Sequence, residues 1–299
     1  MFDEIYATSH LSSDRNRKLS NENFIDLSDR DRNHYIYRII SLSRLFQIFS
    51  SHTNVFVRPK MWEDPFENFI LRSRIRLPSG EIVSHGSRDS VYGQCWTLQS
   101  ASDAMWRIYS PQGDAVRIRT TPNRLAKSII ESSAVRPHTV RIGKVRYLSQ
   151  AALARFVRNT FRTPESAYTA MGRTLLVKRL AFKHERELRA LIFAPRREAA
   201  KTGSDLLACP VDPHVLIDQL MLDPRYSAEN AEAVRKDIAR RTGFQGEILR
   251  SLLYAPPPRL LLDFAIAKPK RPVPSGAPGG WVQMVPMRTR SKGSKRGSK

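Results

Sequence analysis

The chain has 299 residues and a formal net charge of +22, and 41% of its residues are hydrophobic, enough for one large or two small folded domains. No apolar run reaches the length of about 18 residues that marks a membrane-spanning helix, and the N-terminal residues lack the apolar stretch of a secretory signal. The two cysteines, Cys95 and Cys209, are far apart. We therefore expect no disulfide framework and no structural zinc site, and we expect a cytoplasmic protein.

The positive charge is unevenly distributed. Residues 268–299 contain nine Lys and Arg and no acids, which leaves a net charge of +13 for the rest of the chain. A basic body attracts phosphate polyanions or anionic cofactors, although many basic proteins bind no nucleic acid specifically. The composition is therefore compatible with a nucleic-acid partner but does not require one.

Strands and helices are predicted from β-branched alternation and from helical spacing of apolar residues. The predicted strands are, in chain order, 34–40, 54–59, 69–77, 92–98, 114–121, 140–148, 186–193 and 247–255. The predicted helices are 41–51, 100–110, 121–133, 149–161, 166–182 and 227–243. Capping residues support three of these helices, namely Ser41, the pair Thr121-Pro122 and the terminal Gly243.

The order of these elements predicts an α+β fold, because strands and helices are mixed without strict βαβ alternation. We expect a polar lead-in over residues 1–34 and a single mixed-sheet domain with flanking helices over 35–264. Residues 265–299, rich in Pro, Gly and Lys, are predicted to form a disordered basic tail.

An acidic turn, "KMWEDPFEN" at residues 60–68, stands out in so basic a chain. Pro65 biases the preceding Asp64 toward an extended conformation. One interpretation is a turn anchored in the core by its aromatic residues, with the acids pointing outward. The other is a site in which Asp64 or Glu67 grips a cation, a ribose hydroxyl or a basic side chain that shapes a pocket.

A second segment, "SDAMWRIYSPQGDAVRI", reads as an amphipathic helix that leads into a buried strand. Trp106 belongs to the apolar face of that helix, and Asp103 could cap it. Arg107 on its flank could pair with a phosphate or with Asp64.

The third segment, "FKHERELRALIF", reads as a strand. Alternation would then place Glu185, Glu187 and Arg189 on one face. In a cleft, the adjacent carboxylates could raise one pKa, or one acid could orient a hydroxyl while the other stabilises positive charge in a transition state. The alternative is an edge strand whose acids form ion pairs with Lys183, Arg186 and Arg189.

Other catalytic signals are absent from the sequence. The histidines share no ligand spacing, and there is no Gly-x-Ser-x-Gly motif or Gly-rich phosphate loop. No second acidic cluster accompanies the acidic turn, so no metal is predicted.

Three stretches together resemble a bacterial family known as domain of unknown function 2971. They are the segment from "YRIISLSRLFQIFSS" to "WEDPFE", the segment "CWTLQSASDAMWRIYSPQGDAVRIR", and "GKVRYL" with "LLVKRLAFKHERELRALI". The resemblance covers about residues 35–195. It implies a fold but no activity.

A second resemblance implies chemistry. "YRIISLSRLFQIFSS" is similar to the opening of ADP-ribosyltransferase folds, and "HERELR" is similar to their Glu-x-Glu strand. The resemblance implies that Arg38 holds NAD and that Glu187 is the catalytic acid, with Glu185 beside it. The remaining residues that we assign to the same NAD-binding cleft are Tyr37, Asp64, Trp106 and Arg107.

The sequence thus predicts an ADP-ribosyltransferase-like or other NAD- or nucleotide-processing enzyme, acting as a toxin or a phage-defence effector. The first alternative is a non-catalytic nucleic-acid-binding or regulatory module, and the second is a metal-dependent nuclease. A fold in which Arg38 and Glu187 line one pocket favours the transferase. A flat basic face with both glutamates in surface ion pairs favours the binding module.

Overall fold

A computed structural model of the chain describes residues 17–62, 64, 66–67, 69–76, 79–84, 89–160, 167–194 and 203–256. The chain divides into a unit that ends at Ala255 and a second unit, Pro256–Lys299. The predicted basic tail lies outside the described residues. Within the described part, no helix is both long and apolar enough to cross a membrane.

The protein has an α+β fold, as the sequence predicts. The strands are β1 Phe24–Ile25, β2 Ile36–Ser41, β3 Thr53–Val57, β4 Arg74–Arg76, β5 Ile82–Ser84, β6 Val91–Thr97, β7 Ala115–Thr120, β8 Val140–Lys144, β9 Arg146–Leu148, β10 Val177–Arg179, β11 Glu187–Phe193, β12 Leu206–Pro210, β13 Gln219–Leu222 and β14 Glu247–Arg250. The α-helices are α1 Asp29–Asn33, α2 Leu42–Ser51, α3 Phe69–Arg72, α4 Asp103–Tyr109, α5 Pro122–Glu131, α6 Gln150–Thr160, α7 Ala167–Leu175, α8 Pro213–Leu216 and α9 Ala228–Thr242.

The main sheet is mixed and has the strand order β1-β8-β11-β6-β2-β7-β13-β14. The β1/β8 and β13/β14 pairs are parallel, and the other pairs along this path are antiparallel. Strands β9 and β10 form a separate parallel pair. Strand β11 is therefore central, between β8 and β6, and all seven of its residues are buried.

The sheet forks at β6. One edge of β6 is shared by two strands, because Tyr37 of β2 pairs with Thr97 and Val57 of β3 pairs with Gly93. Strand β3 continues into β12, whereas β2 continues into β7. Cys95 lies on β6 between the two branch points.

Gln94 joins one branch of the fork to β6. Its Nε2 donates to Oδ1 of Asn54 at 2.7 Å and to the carbonyl oxygen of Val55 at 3.0 Å. The indole nitrogen of Trp96 donates to Gln94 Oε1 at 2.9 Å. Every side-chain hydrogen-bonding atom of this buried amide is thus engaged, as a stable buried polar group requires.

The two faces of the sheet carry different cores. On one face, strands and the helices α2 and α5 form the main core, which includes Ile36, Ile40, Leu45, Val116, Ile118, Leu125, Ile129, Leu188, Ala190 and Leu220. The other face carries a smaller cluster, which includes Ile25, Leu71, Val91, Leu175, Leu191 and Phe193. That second face also carries a row of paired residues across four strands, namely Glu187, Thr97, Tyr37 and Arg119.

Most predicted elements are present, with their caps. The side chains of Ser41 and Thr121 cap α2 and α5, and Gly243 ends α9 with φ of 62°. Ser102 caps α4, so Asp103 is its first residue and not its cap.

Five predicted segments differ. The strand predicted over 140–148 divides into β8 and β9, and the strand predicted over 247–255 ends at Arg250. Residues 69–77, predicted as a strand, begin as the short helix α3 before β4. The helix predicted over 166–182 ends at Leu175, and β10 follows. The sequence predicts only a polar lead-in over residues 1–34, but β1 lies within it and pairs with β8, and Phe24 and Ile25 are buried. A two-residue strand is too short for alternation to reveal it in a sequence.

Candidate functional site

The acidic turn is held by two consecutive basic residues of β10. Asp64 Oδ1 accepts from Arg179 Nη2 at 3.0 Å, and Glu67 Oε1 lies 2.7 Å from Lys178 Nζ. Both acids are buried, while the Phe66 ring is 40% exposed and lies beneath the Arg179 guanidinium. The prediction that Phe66 anchors the turn in the core while the acids point outward is therefore wrong. The acids instead form ion pairs with basic side chains.

Three carboxylates and two cations meet in a buried cluster. Lys178 Nζ lies 2.7 Å from Glu67, 2.6 Å from Glu185 and 3.6 Å from Glu187. Arg189, with a fully buried side chain, binds Glu187 through Nε at 3.0 Å and Nη2 at 2.8 Å, and lies 3.1 Å from Glu67. With all five groups ionised, the cluster carries one net negative charge.

A left-handed residue brings both glutamates into this cluster. Glu185 ends a 3₁₀ helix, Leu180–Glu185, and Arg186 follows with φ of 44° before β11 begins at Glu187. Alternation along a continuous strand is therefore not what places the two acids together, contrary to the prediction. The turn at Arg186 points both acids inward and leaves the Arg186 side chain exposed.

The predicted edge strand with surface ion pairs is also wrong. Strand β11 is central, and neither Lys183 nor Arg186 has an ion pair with the glutamates among the described residues. Of the three predicted basic partners, Arg189 alone pairs with one of them there.

Burial and ion pairing set the protonation of the cluster. Burial opposes ionisation of Glu187, but the charges of Arg189 and Lys178 outweigh it and hold the pKa of Glu187 below its usual value. Burial dominates at Glu67 and raises its pKa despite the same two cations. The carboxylates raise the pKa values of Lys178 and Arg189 against the effect of burial, so both remain charged.

An aromatic ring and a backbone carbonyl complete the surroundings of Arg189. The guanidinium lies 4.3 Å from the centroid of the Trp62 ring, and its Nη1 donates to the Leu175 carbonyl oxygen at 2.7 Å. Gly93 leaves space for the indole, because a Cβ there would lie 2.6 Å from Trp62 Cζ2. The Trp of the acidic turn thus covers the cluster.

Arg38 lies at the fork of the sheet. Its guanidinium has no hydrogen bond or ion pair with the rest of the described chain. Burial lowers the pKa of Arg38, Cys95 and Tyr109 raise it, and Arg44 lowers it. An arginine held near a surface without a counter-ion is a candidate anion-binding group.

Tyr109 ends α4, a helix that packs against β2, the strand that carries Arg38. Burial raises the pKa of Tyr109, and the charge of Glu185 raises it further, with a smaller contribution from Glu187. The tyrosine is 45% exposed. The pKa of this partly exposed aromatic residue is therefore raised both by burial and by the glutamates.

The other predicted site residues have separate roles. Tyr37 is buried, and the Arg117 guanidinium lies 4.4 Å from the centroid of its ring. Trp106 is part of the buried face of α4. Arg107 is exposed and pairs with Asp103 at 2.8 Å, so its predicted pairing with Asp64 is wrong.

A groove borders the strand end that carries Glu187. Its cavity measures about 520 Å³, and its basic lining residues are Lys144, Lys183, His184 and Arg186. Lys183 and Arg186 are exposed and have no ion pair in the part of the chain that the structure describes. Tyr147, also in the lining, accepts a hydrogen bond from the Glu187 backbone N–H at 2.7 Å.

No metal site is formed by the described residues, since they contain no group of three or more His, Cys, Asp or Glu suited to a metal. The three clustered carboxylates are instead neutralised by Lys178 and Arg189. Sequence reasoning missed Lys178 and Tyr109. Lys178 could have been noticed as part of a Lys-Arg pair that ends an apolar run. No feature of the sequence marks Tyr109.

The chain was compared with protein-family models, curated proteins and solved structures. No family model matches the chain, so the resemblance to domain of unknown function 2971 has no such support, and no curated protein matches. Solved structures of Thermus sp. 2.9 DarT are similar to the chain. The complex with carba-NAD+ is 14% identical and has a TM-score of 0.35, with 73% of this chain and 96% of that chain covered. The complex with ADP-ribosylated ssDNA is 13% identical, with a TM-score of 0.36 and coverage of 73% and 94%.

Proposed function

We propose that the protein is an ADP-ribosyltransferase-like enzyme that cleaves NAD and transfers ADP-ribose to an acceptor. One observation carries the proposal. Glu185, in the buried cluster, keeps one carboxylate oxygen without a partner among the described residues, and the guanidinium of Arg38 on β2 has no counter-ion there. The protein therefore has both a candidate anion-binding group and a carboxylate oxygen that is free to act on a substrate.

The geometry favours Glu185 as the carboxylate that contacts the substrate. Both oxygens of Glu187 are bound by Arg189, so most of its charge is already neutralised. Glu185 uses Oε2 to accept from Lys178 at 2.6 Å, and its Oε1 has no partner among the described residues. Glu187 then serves to hold Arg189. We therefore assign the catalytic role, predicted for Glu187, to Glu185.

The roles follow from the chemistry of the N-glycosidic bond. Its cleavage leaves the electron pair on nicotinamide and positive charge on the ribose, which a nearby carboxylate stabilises. The acceptor oxygen or nitrogen forms the new bond to the ribose and loses its proton. Arg38 would bind the pyrophosphate of NAD, and Tyr109 would offer its ring to the nicotinamide.

Separate effects on binding and on turnover test these roles. Glu185→Gln should bind ADP-ribose as the wild type does but lower kcat by roughly 100- to 1,000-fold, the usual effect of losing one electrostatic contact to a transition state. Arg38→Met should weaken ADP-ribose binding and raise KM. Glu229→Gln, an exposed acid of α9, is the matched control and should change neither. Unchanged kcat in Glu185→Gln would contradict the assignment.

The second candidate function is nucleic-acid binding, and the basic groove beside Glu187 favours it. Lys183 and Arg186 are cations that a phosphate backbone could neutralise. The same groove could hold a nucleic acid as the acceptor of ADP-ribose, so the two functions are compatible.

Salt dependence tests the groove. Each phosphate contact to a single strand contributes a slope of about 0.7 to the dependence of log K on log salt. Lys183→Glu combined with Arg186→Glu should weaken binding of a labelled single strand and flatten the slope by about 1.4. Lys236→Glu, a charge reversal at an exposed position of α9, is the control. Equal loss in the control would reveal a general charge effect and no binding groove.

A further inference from the structure

Arg117 is a buried charge without a counter-ion. Its side chain lies on β7, the residue is 5% exposed, and its Nε is buried without a hydrogen-bond partner. No ion pair or hydrogen bond involves its guanidinium among the described residues, and its contact there is the ring of Tyr37 at 4.4 Å. Burial lowers the pKa of Arg117 to about 10. A buried charge left unpaired destabilises a fold, so its presence needs a reason.

The neighbouring Arg119 has an acidic partner, which Arg117 lacks among the described residues. Arg119, two residues further along β7, lies over the ring of Tyr35 at 4.0 Å and also donates to Asp218 at 2.7 Å. Opposite Arg117, strand β13 supplies Met221. The two arginines therefore share a stacked geometry, but an acid completes the surroundings of only one of them in the described chain.

Arg117 is on the same face of the sheet as Glu187. Cross-strand pairing connects Glu187 to Thr97, Tyr37 and Arg119, and Arg117 points to the same side as Arg119. Three strand spacings of about 4.8 Å separate β11 from β7, roughly 14 Å in all. This spacing allows an elongated ligand to reach from the carboxylate cluster to Arg117.

The surroundings of Arg117 are less closed than the main core. Its cross-strand neighbours Ile39 and Met221 are both half-buried, whereas Val116 and Ile118 on the opposite face are buried. The terminal nitrogens of Arg117 are not among the buried unsatisfied atoms. With no partner among the described residues, they therefore keep some exposed surface, in contrast to the buried Nε.

We propose that Arg117 anchors a phosphate-binding site on the face of the sheet that carries Glu187, with Tyr37 fixing the plane of the guanidinium. A phosphate group would accept hydrogen bonds from the terminal nitrogens and supply the missing negative charge. The phosphate could come from a dinucleotide or from a nucleic-acid backbone. The site does not depend on NAD cleavage, since a pure binding protein could use it equally.

The test is thermal unfolding of Arg117→Met with and without phosphate ligands. The probes are inorganic pyrophosphate, ADP-ribose and a short single-stranded oligonucleotide. Without ligand, Arg117→Met should melt at a higher temperature than the wild type, because an unpaired buried charge is removed. Its affinity for the probe that stabilises the wild type should fall roughly 10- to 100-fold, the effect of losing one hydrogen bond to a charged group.

Each outcome decides the proposal. A response to ADP-ribose alone assigns the site to a dinucleotide, and a response to the oligonucleotide alone assigns it to a nucleic-acid backbone. A lower melting temperature in Arg117→Met would show that the arginine stabilises the fold through Tyr37, and this would overturn the proposal. A wild type that no probe stabilises, or a probe response that Arg117→Met retains in full, would overturn it too. Lys236→Met is the control for loss of a surface charge and should respond as the wild type does. Nicotinamide release from NAD, measured on the same samples, reports separately on the proposed enzyme activity.

Discussion

The buried cluster makes opposite predictions for two of its glutamates. The pKa of Glu187 is lowered, which means that its charge stabilises the folded protein, whereas the raised pKa of Glu67 means that its charge is unfavourable there. Glu187→Gln should therefore lower the free energy of unfolding by about 3 kcal/mol, the low end of the range for breaking a buried ion pair. The low end applies because Glu67 remains 3.1 Å from Arg189.

Glu67→Gln should lower the free energy of unfolding by less than about 1 kcal/mol at neutral pH. The amide oxygen can still accept a hydrogen bond from Lys178 or Arg189, and an unfavourable charge is removed. Urea unfolding followed by circular dichroism measures both values, provided that the slopes of the two transitions agree with the wild type. Equal losses of unfolding free energy in the two variants would refute the claim that the charge of Glu187 stabilises the fold and that of Glu67 does not.

The two variants should also differ in pH dependence. The stability that Glu187 provides is present above its unfolded pKa, near 4.5, and is lost as the pH falls through its lower folded pKa. The cost of Glu187→Gln should therefore shrink below pH 4.5. The pKa of Glu67 is shifted in the opposite direction, so ionisation of Glu67 above pH 4.5 destabilises the wild type. The stability of Glu67→Gln relative to the wild type should therefore rise as the pH increases above 4.5. Parallel pH profiles for both variants would contradict these directions.

Three further predictions concern packing and backbone. Gly93→Ala should lower the free energy of unfolding by about 1–3 kcal/mol, since the added methyl group would displace Trp62, and an unchanged urea midpoint would contradict this. His52→Gly should raise stability by up to about 1 kcal/mol, because His52 has a left-handed backbone at the end of α2, and calorimetry should show a higher Tm. Burial raises the pKa of Cys209 to about 12, so iodoacetamide at pH near 8 should modify this thiol only after unfolding; rapid labelling of the native protein would count against its placement in the core.

Local patterns in the sequence were sufficient for most of the fold. Helix α2 follows directly from Ser41 as its cap and from apolar residues at helical spacing, and β11 follows from its apolar run. Such signals act over a few residues and need no tertiary information. Strand β1 could not be found in this way, because its two residues become a strand only by pairing with β8.

The candidate site was predictable in its acids but not in their partners. The glutamates of "HERELR" and the acidic turn stood out because carboxylates are rare in this chain. Their common partner Lys178 could not be identified, since contact across more than a hundred residues depends on how β10 packs against the turn. The left-handed Arg186 was also hidden, because a non-glycine residue with positive φ is set by tertiary contacts.

The most direct measurement of the central claim is nicotinamide release from labelled NAD by wild type and Glu185→Gln, side by side, with single-stranded DNA, RNA and protein acceptors. We expect release by the wild type with at least one acceptor, label transferred to that acceptor, and a loss of roughly 100- to 1,000-fold in Glu185→Gln. No release by folded wild type with any acceptor, or equal release by the variant, would contradict the claim that Arg38, Tyr109 and Glu185 form the active site of an ADP-ribosyltransferase-like enzyme.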